Sequence, residues 1–253
     1  MASQDASESA LYDLARDQFL RIVCHELRSP LSVGLVWANL LREKRVAAGQ
    51  VDQALAAIEQ SFRDQKRLVD VLGDASRLSS GRIALHPSDC DLATVVGESL
   101  DLARGSAETK GVELASSLHA SGRVSLDVDR FHQAMSQLLL NAVRHTPAGG
   151  TISVETRRFD LALQVAVRDT GVGIHPQLLA HLFDPLMLAV RAEFQQSAAP
   201  PAGLGLGLLI ARRIIELHRG SLSATSDGVG RGATFTISLP RAKGERDEEP
   251  MHE

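Results

Sequence analysis

Two long helical patterns follow one another near the start of the chain and constrain its fold more than any other feature. In the first, apolar or small residues recur three, four or seven positions apart, at Val23, Leu27, Leu31, Gly34, Ala38 and Leu41. After a break at Gly49, the second pattern continues to about residue 80, with Leu55, Ile58, Phe62, Val69 and Leu72. The pair predicts a helical hairpin over residues 11–80. Its apolar stripe needs a second copy to cover it, so we expect a homodimer that forms a four-helix bundle.

Beyond Ser79-Ser80-Gly81 the pattern changes to short strands mixed with helices. Strands are predicted at residues 83–85, 112–118, 124–128, 151–157, 161–167, 221–226 and 233–239, and helices at 92–110, 129–145, 176–183 and 203–219. Asp91 and Gly111 are predicted to cap the first of these helices. The expected class is α+β, with a mixed, largely antiparallel sheet covered by helices on one face.

This second domain is predicted over residues 82–240. The polar lead-in at residues 1–10 and the charged tail at residues 241–253 are expected to be disordered. Residues 184–202 lack periodicity and are long enough for a mobile functional loop.

Composition argues against several classes of protein. A net charge of −4, one Trp and one Tyr leave no basic, aromatic surface for nucleic acid. No apolar run approaches the roughly 18 residues that span a membrane, and the first ten residues lack a signal-peptide pattern, so a soluble, cytoplasmic protein is expected. Cys24 and Cys90 are too few and too isolated for a disulfide framework or a zinc site.

Two segments contain side chains suited to chemistry. His25 falls off the apolar stripe of the first helix, where its ring can act as a nucleophile, and Glu26 beside it can orient or deprotonate the ring. Asn141 interrupts an apolar helix, and its amide oxygen suits a hard cation such as Mg²⁺. Taken singly, each feature is more often structural.

Two glycine-rich segments follow. Asp169 precedes Gly-Val-Gly, where its carboxylate could accept a hydrogen bond from an adenine amino group. Glycines at 203, 205 and 207 open a predicted helix, so backbone amides there can approach phosphate oxygens closely. This loop lacks the Gly-Lys-Ser/Thr of a Walker sequence and the βαβ context of a dinucleotide fold.

In this order, the four segments resemble the motifs of bacterial sensor histidine kinases. His-Glu-Leu-Arg-Ser-Pro-Leu at 25–31 resembles the phosphoacceptor box, and Asn-Ala-Val-Arg-His-Thr-Pro-Ala-Gly-Gly at 141–150 the N box. Asp-Thr-Gly-Val-Gly-Ile at 169–174 and Gly-Leu-Gly-Leu-Gly-Leu at 203–208 resemble the two glycine boxes. The resemblance implies a dimerisation and phosphotransfer hairpin followed by the ATP-binding sandwich shared with gyrase and heat-shock chaperone ATPases.

The resemblance also implies a reaction. His25 would take the γ-phosphoryl group of ATP, with Glu26 as its base, and pass it to an aspartate of a response regulator receiver domain. Ser29 would allow phosphatase activity toward that regulator, and Arg28 would lie near its docking surface. The signal would come from a separate sensor protein, from the polar lead-in, or from a redox or ligand effect.

ATP and Mg²⁺ would be held by the second domain. The implied contacts are Asn141 and Gln137 with Mg²⁺, Arg144 with the phosphates, His145 near the adenine, Asp169 with the adenine amino group, Gly171 and Gly173 around the base, and Gly203, Gly205, Leu206 and Gly207 around the phosphates. His145 stands where Tyr or Phe is usual and would add a protonation dependence near neutral pH. Residues 182–188 only partly resemble the F box.

Two other interpretations stay open. The incomplete F box also suits a degenerate kinase that serves as a dimeric, nucleotide-binding scaffold. A gyrase-like or chaperone-like ATPase that hydrolyses ATP to ADP with water would leave His25 without a purpose.

Overall fold

The computed structural model describes residues 21, 23–24, 27–79, 84–119, 122–159, 162–184 and 206–241. Residues 27–79 belong to one compact unit, and residues 84–183 and 207–241 belong to a second. The domain limits expected from the sequence, 11–80 and 82–240, stay predictions. Residues 1–10 and most of the loop and tail expected at 184–202 and 241–253 lie outside the described residues.

The first unit is a helical hairpin. Helix α1 covers residues 27–42, a 3-10 turn occupies Ala48–Gln50, and helix α2 covers Val51–Ser79. Helix α1 ends at residue 42, because Lys44 adopts a left-handed conformation with φ +56°. Arg45 N donates to Leu40 O at 2.9 Å and Lys44 N to Leu41 O at 3.0 Å, so a Schellman motif ends the helix without glycine. The predicted start near residue 11 lies outside the described residues.

Helices α1 and α2 contact each other through small side chains. Ser61, buried on α2, donates a hydrogen bond to the Pro30 carbonyl of α1, and a Cβ at Gly34 would lie 2.9 Å from Ser61 Oγ. This close approach turns larger apolar residues of the predicted stripe away from the contact. Leu31 is 45% exposed and Phe62 63% exposed in the single chain.

The second unit contains all the strands and the remaining helices of the described residues. In chain order they are β1 (Ser88–Asp91), α3 (Leu92–Lys110), β2 (Glu113–Ser117), β3 (Arg123–Leu126), α4 (Val128–His145), β4 (Thr151–Arg158), β5 (Ala162–Asp169), α5 (Pro176–Leu179), α6 (Leu206–Leu217), β6 (Ser221–Thr225) and β7 (Ala233–Pro240). The predicted caps of α3 are confirmed: Asp91 accepts a hydrogen bond from Thr94 N at 3.0 Å, and Gly111 has φ +70°.

Five strands form a mixed sheet in the order β2-β4-β5-β7-β6. Only β2 and β4 are parallel in this sheet. Alternate residues such as Val154, Val165 and Phe235 are buried, while the intervening side chains are mostly polar. Helices α3 and α4 pack together, and α4 lies against β5, so one sheet face forms the core. The predicted α+β class is confirmed.

Two predicted elements are wrong in place or length. Residues 84–87 form no strand, and β1 begins at Ser88 instead. Its sequence, Ser-Asp-Cys-Asp, has no apolar alternation, because β1 pairs only with β3, outside the main sheet. The helix predicted at 176–183 stops at Leu179 and continues as turns. In the ranges described, no helix is both long enough and apolar enough to cross a membrane.

Candidate functional site

Asp169 lies at the end of β5 and is the most informative side chain of the second unit. It is 4% exposed, and its Oδ1 accepts hydrogen bonds from Gly171 N at 2.9 Å and Ala233 N at 3.3 Å. Burial raises the pKa of Asp169, and the two hydrogen bonds oppose part of that effect. Oδ2 accepts no hydrogen bond from the described residues, so it keeps its full acceptor capacity for a ligand donor.

Two glycine loops surround this carboxylate: the first loop is residues 169–174, and the second loop is residues 226–232. Gly230 N donates to Val172 O at 2.7 Å, and Gly232 N donates to Gly171 O at 3.1 Å. Gly173 and Gly232 have φ +69° and +70°, and a Cβ at either would collide with backbone of the opposite loop. The loops thus lie in direct backbone contact.

Ser226 ties the two loops together. Its hydroxyl donates to Gly232 O at 2.6 Å and accepts a hydrogen bond from Ile174 N at 3.0 Å. This second loop was not predicted from the sequence, because glycines between two predicted strands are typical of an ordinary turn. The available signal was the alternation of glycine at 228, 230 and 232, which repeats the pattern at 203–207.

The C-terminal end of α4 borders the first loop. Val172 N donates to His145 O at 3.1 Å, and Lys110 Nζ donates to Val143 O at 2.7 Å and Arg144 O at 2.6 Å. The remaining carbonyl group, Ala142 O, accepts hydrogen bonds from both N and Oγ1 of Thr146. Each of the last four carbonyl groups of α4 therefore has a partner.

The charge state of this helix end follows from its surroundings. Burial lowers the pKa of His145, and the nearby positive charges of Arg144 and Lys110 lower it further. Its imidazole is therefore mostly neutral at pH 7, and the protonation dependence predicted near neutral pH moves to lower pH. Burial, and then Arg144, also lower the pKa of Lys110.

Two further contacts join α6 to the predicted motifs. A Cβ at Gly207, in the first turn of α6, would lie 3.3 Å from Gln137 Cδ and still closer to Oε1. The N-box helix therefore abuts the start of the glycine-rich helix. On the same helix, the Arg212 guanidinium lies 5.3 Å from the centroid of the ring of Phe183, an aromatic residue of the segment predicted as a partial F box.

The structure brings together most of the predicted residues of the second unit. Asp169, Gly171 and Gly173 meet the end of α4, which bears Arg144 and His145; half-buried Asn141 lies one turn earlier. The predicted residues outside the described ranges are His25, Glu26, Gly203 and Gly205, and only the backbone of Leu206 is described. Arg28 and Ser29 are exposed on α1.

Comparisons with known proteins identify two modules. Residues 15–81 match the His Kinase A (phospho-acceptor) domain, and residues 126–243 match the histidine kinase-, DNA gyrase B- and HSP90-like ATPase. Histidine protein kinase DivJ of Caulobacter vibrioides is 32% identical over 89% of this chain and 37% of its own length. The chain spans 26% to 37% of the length of the first three curated relatives.

Solved structures agree on the fold. Histidine kinase AdeS of Acinetobacter baumannii superposes with a TM-score of 0.65 at 21% identity, covering 87% of this chain and 98% of that one. Full-length ShkA, solved in complex with AMPPNP, superposes with a TM-score of 0.60 at 26% identity, covering 91% of this chain and 47% of that one.

Proposed function

Because the chain belongs to the sensor histidine kinases, with their phosphoacceptor and ATPase modules, we propose that it phosphorylates its own His25 from Mg-ATP. The phosphoryl group would then pass to an aspartate on the receiver domain of a response regulator. The observation that best supports the ATP site is Asp169, whose Oδ1 is fixed by two backbone amides while Oδ2 accepts no hydrogen bond from the described residues.

The base pocket suits adenine. An ionised Asp169 Oδ2 can only accept hydrogen bonds, so it would pair with the exocyclic amino group of adenine. Gly171 lacks a side chain where one would meet the His145 backbone, and Gly173 keeps the second loop close. The imidazole of His145, mostly neutral at pH 7, would lie beside the adenine without placing a positive charge next to it.

The phosphate end would be held by α4 and α6. We propose that Asn141 contacts Mg²⁺ with its amide oxygen, that Gln137, beside Gly207, supplies a second contact, and that Arg144 meets the phosphates. Among the described residues no group of three His, Cys, Asp or Glu side chains could hold a metal ion by itself. Phosphate oxygens of ATP would supply the remaining Mg²⁺ ligands. Gly203, Gly205, Leu206 and Gly207 would place backbone amides and the helix dipole at the phosphates.

The transfer step is a substitution at phosphorus. A ring nitrogen of His25 would form the new N–P bond as the bond to the bridging oxygen breaks and ADP leaves. Glu26 would orient the ring and take the proton from the nitrogen. Positioning and charge neutralisation would supply most of the acceleration.

We further propose a homodimer. Leu31 and Leu35 lie four residues apart on α1, and Leu55, Phe62 and Val69 lie seven apart on α2, all exposed by 45% to 63% in the single chain. A second hairpin would cover these stripes as a four-helix bundle. A cytoplasmic location fits the ATP requirement, and a separate sensor protein would supply the signal. Exposed Ser29, four residues after His25, would support phosphatase activity toward the response regulator.

Labelling tests the kinase proposal. The full chain is incubated with γ-labelled ATP and Mg²⁺, next to His25→Gln and a control, His119→Gln, which changes an exposed histidine at the end of β2. We expect label that survives alkali, is lost in acid, remains in the control and is absent from His25→Gln. Label that persists in His25→Gln would refute the assignment. Nucleotide binding without label would favour the scaffold, and ATP hydrolysis unaffected by His25→Gln would favour the ATPase.

A further inference from the structure

We propose that Ser226 is a positioning residue for the base pocket, and that its hydroxyl sets both nucleotide affinity and the preference for adenine over guanine. The proposal rests on the proposed function in one respect, that Asp169 accepts the adenine amino group. Neither the phosphoacceptor box nor the N and glycine boxes include this residue.

Both glycine loops hold the Asp169 carboxylate. Gly171 N belongs to the first loop, and Ala233 N directly follows the second loop. The direction in which Oδ2 points therefore depends on where the second loop ends. Gly232, one residue before Ala233, approaches the Asp169 backbone so closely that a Cβ there would collide with Asp169 O.

Ser226 fixes that position with one hydroxyl. It donates to Gly232 O at 2.6 Å, closing the second loop, and accepts from Gly228 N at 3.3 Å within the same loop. It also accepts from Ile174 N at 3.0 Å, at the end of the first loop. Ser226 is half-buried, so removal of its hydroxyl leaves Gly232 O and Ile174 N short of a partner.

Loss of these contacts has a consequence for base choice. If the second loop shifts, Ala233 N no longer holds Oδ1, and the carboxylate can turn. A fixed acceptor favours adenine, which offers an amino group, and repels guanine, which offers a carbonyl oxygen at the same position. A turning carboxylate loses that distinction. Adenine affinity should therefore fall more than guanine affinity.

Competition binding tests this difference. Dissociation constants of Mg-ADP and Mg-GDP are measured on the full chain by displacement of a fluorescent ADP analogue, for wild type, Ser226→Ala, Ser226→Thr and Ser223→Ala. Ser223 is the matched control, because it is an exposed residue of β6 whose hydroxyl donates to Thr236 O at 3.5 Å, away from both glycine loops.

We expect Ser226→Ala to bind ADP about tenfold more weakly, equivalent to about 1.4 kcal/mol, and GDP within about twofold of wild type. Ser226→Thr, which keeps the hydroxyl, should restore most of the ADP affinity, and Ser223→Ala should match wild type. Unchanged ADP affinity in Ser226→Ala, or equal weakening of both nucleotides, would overturn the proposal. If calorimetry shows Ser226→Ala to be unfolded, Ser226→Cys replaces it in the same comparison.

The controls separate this proposal from the proposed function. If wild type binds no ADP, or if Asp169→Asn binds ADP as tightly as wild type, the proposed nucleotide site is refuted. If wild type binds ADP, Asp169→Asn does not, and Ser226→Ala binds like wild type, only the proposed role of Ser226 is refuted.

Discussion

Lys110 offers the sharpest stability test of the second unit, because its one side chain donates hydrogen bonds to two backbone carbonyl groups at the end of α4. Replacement by Met keeps the aliphatic stem but removes the ammonium group. Lys110 Nζ then no longer donates to Val143 O and Arg144 O, at 2.7 and 2.6 Å in the wild type. Replacement by Arg retains both a positive charge and donors, so it is the matched control.

The size of the loss follows from the burial of each bond. The part-buried hydrogen bond to Val143 O should contribute about 1.5 kcal/mol, and the exposed one to Arg144 O about 0.5 kcal/mol. The free energy of unfolding should therefore fall by about 2 kcal/mol in Lys110→Met. For a unit of this size that lowers Tm by about 4–8 °C.

Differential scanning calorimetry of the full chain measures this change. The relevant transition is the one that ADP moves to higher temperature, since only the unit that binds nucleotide is stabilised by it. We expect Lys110→Met to lower its Tm and Lys110→Arg to restore most of the difference. A loss below about 0.5 kcal/mol, or equal losses in Met and Arg variants, would refute the idea that these hydrogen bonds hold the helix end.

Three further predictions concern charge and association. The pKa of Asp169 is raised in the folded protein, so the stability contributed by its protonated form is lost as pH rises through that pKa. Uncharged Asp169→Asn should therefore unfold at a higher urea concentration than nucleotide-free wild type at pH 7, and this difference should shrink toward pH 4. Equal stability of the two proteins at pH 7 would contradict this prediction. Because the pKa of His145 is lowered, the ADP affinities of His145→Phe and wild type should change with pH in the same way between pH 7 and 8. A pH-dependent change of affinity in this range that appears only in wild type would refute the prediction. Wild type is expected to be a dimer in sedimentation at micromolar concentration, and Phe62→Glu should be a monomer, because a charge at this exposed apolar position opposes the proposed pairing. Arg63→Glu, one position along α2 and also exposed, should remain a dimer. Dimers in both variants would place the interface elsewhere.

Periodicity and caps made most of the second unit predictable. Met135, Leu138 and Leu139 recur at helical spacing on α4 and are fully buried. Asp91 and Gly111 bound α3 at the predicted residues, because cap chemistry is local. β1 could not be found this way, since its partner, β3, lies more than thirty residues away and its own side chains show no alternation.

The site was predictable only where a motif marks it. Asp169 and Gly171 were identified from the first loop, and their hydrogen bond is present at 2.9 Å. Ser226 was not, because its importance depends on Ile174, 52 positions earlier, and no local pattern encodes that contact. The stripe on α2 was predicted as apolar, but Ala54 and Ser61 are buried in place of Leu55 and Phe62, since small residues allow the helices to approach.

The contact between Ser61 and Pro30 limits how the hairpin can move. Gly34 leaves room for the Ser61 hydroxyl, and that hydroxyl bonds the Pro30 carbonyl, five positions after His25 in the sequence. Sliding one helix along the other by a turn would break this bond and bring a larger side chain against Ser61. Rotation or tilting about the same point keeps the bond. A mechanical signal that passes along these helices should therefore travel as a pivot around Ser61, with opposite displacements on its two sides.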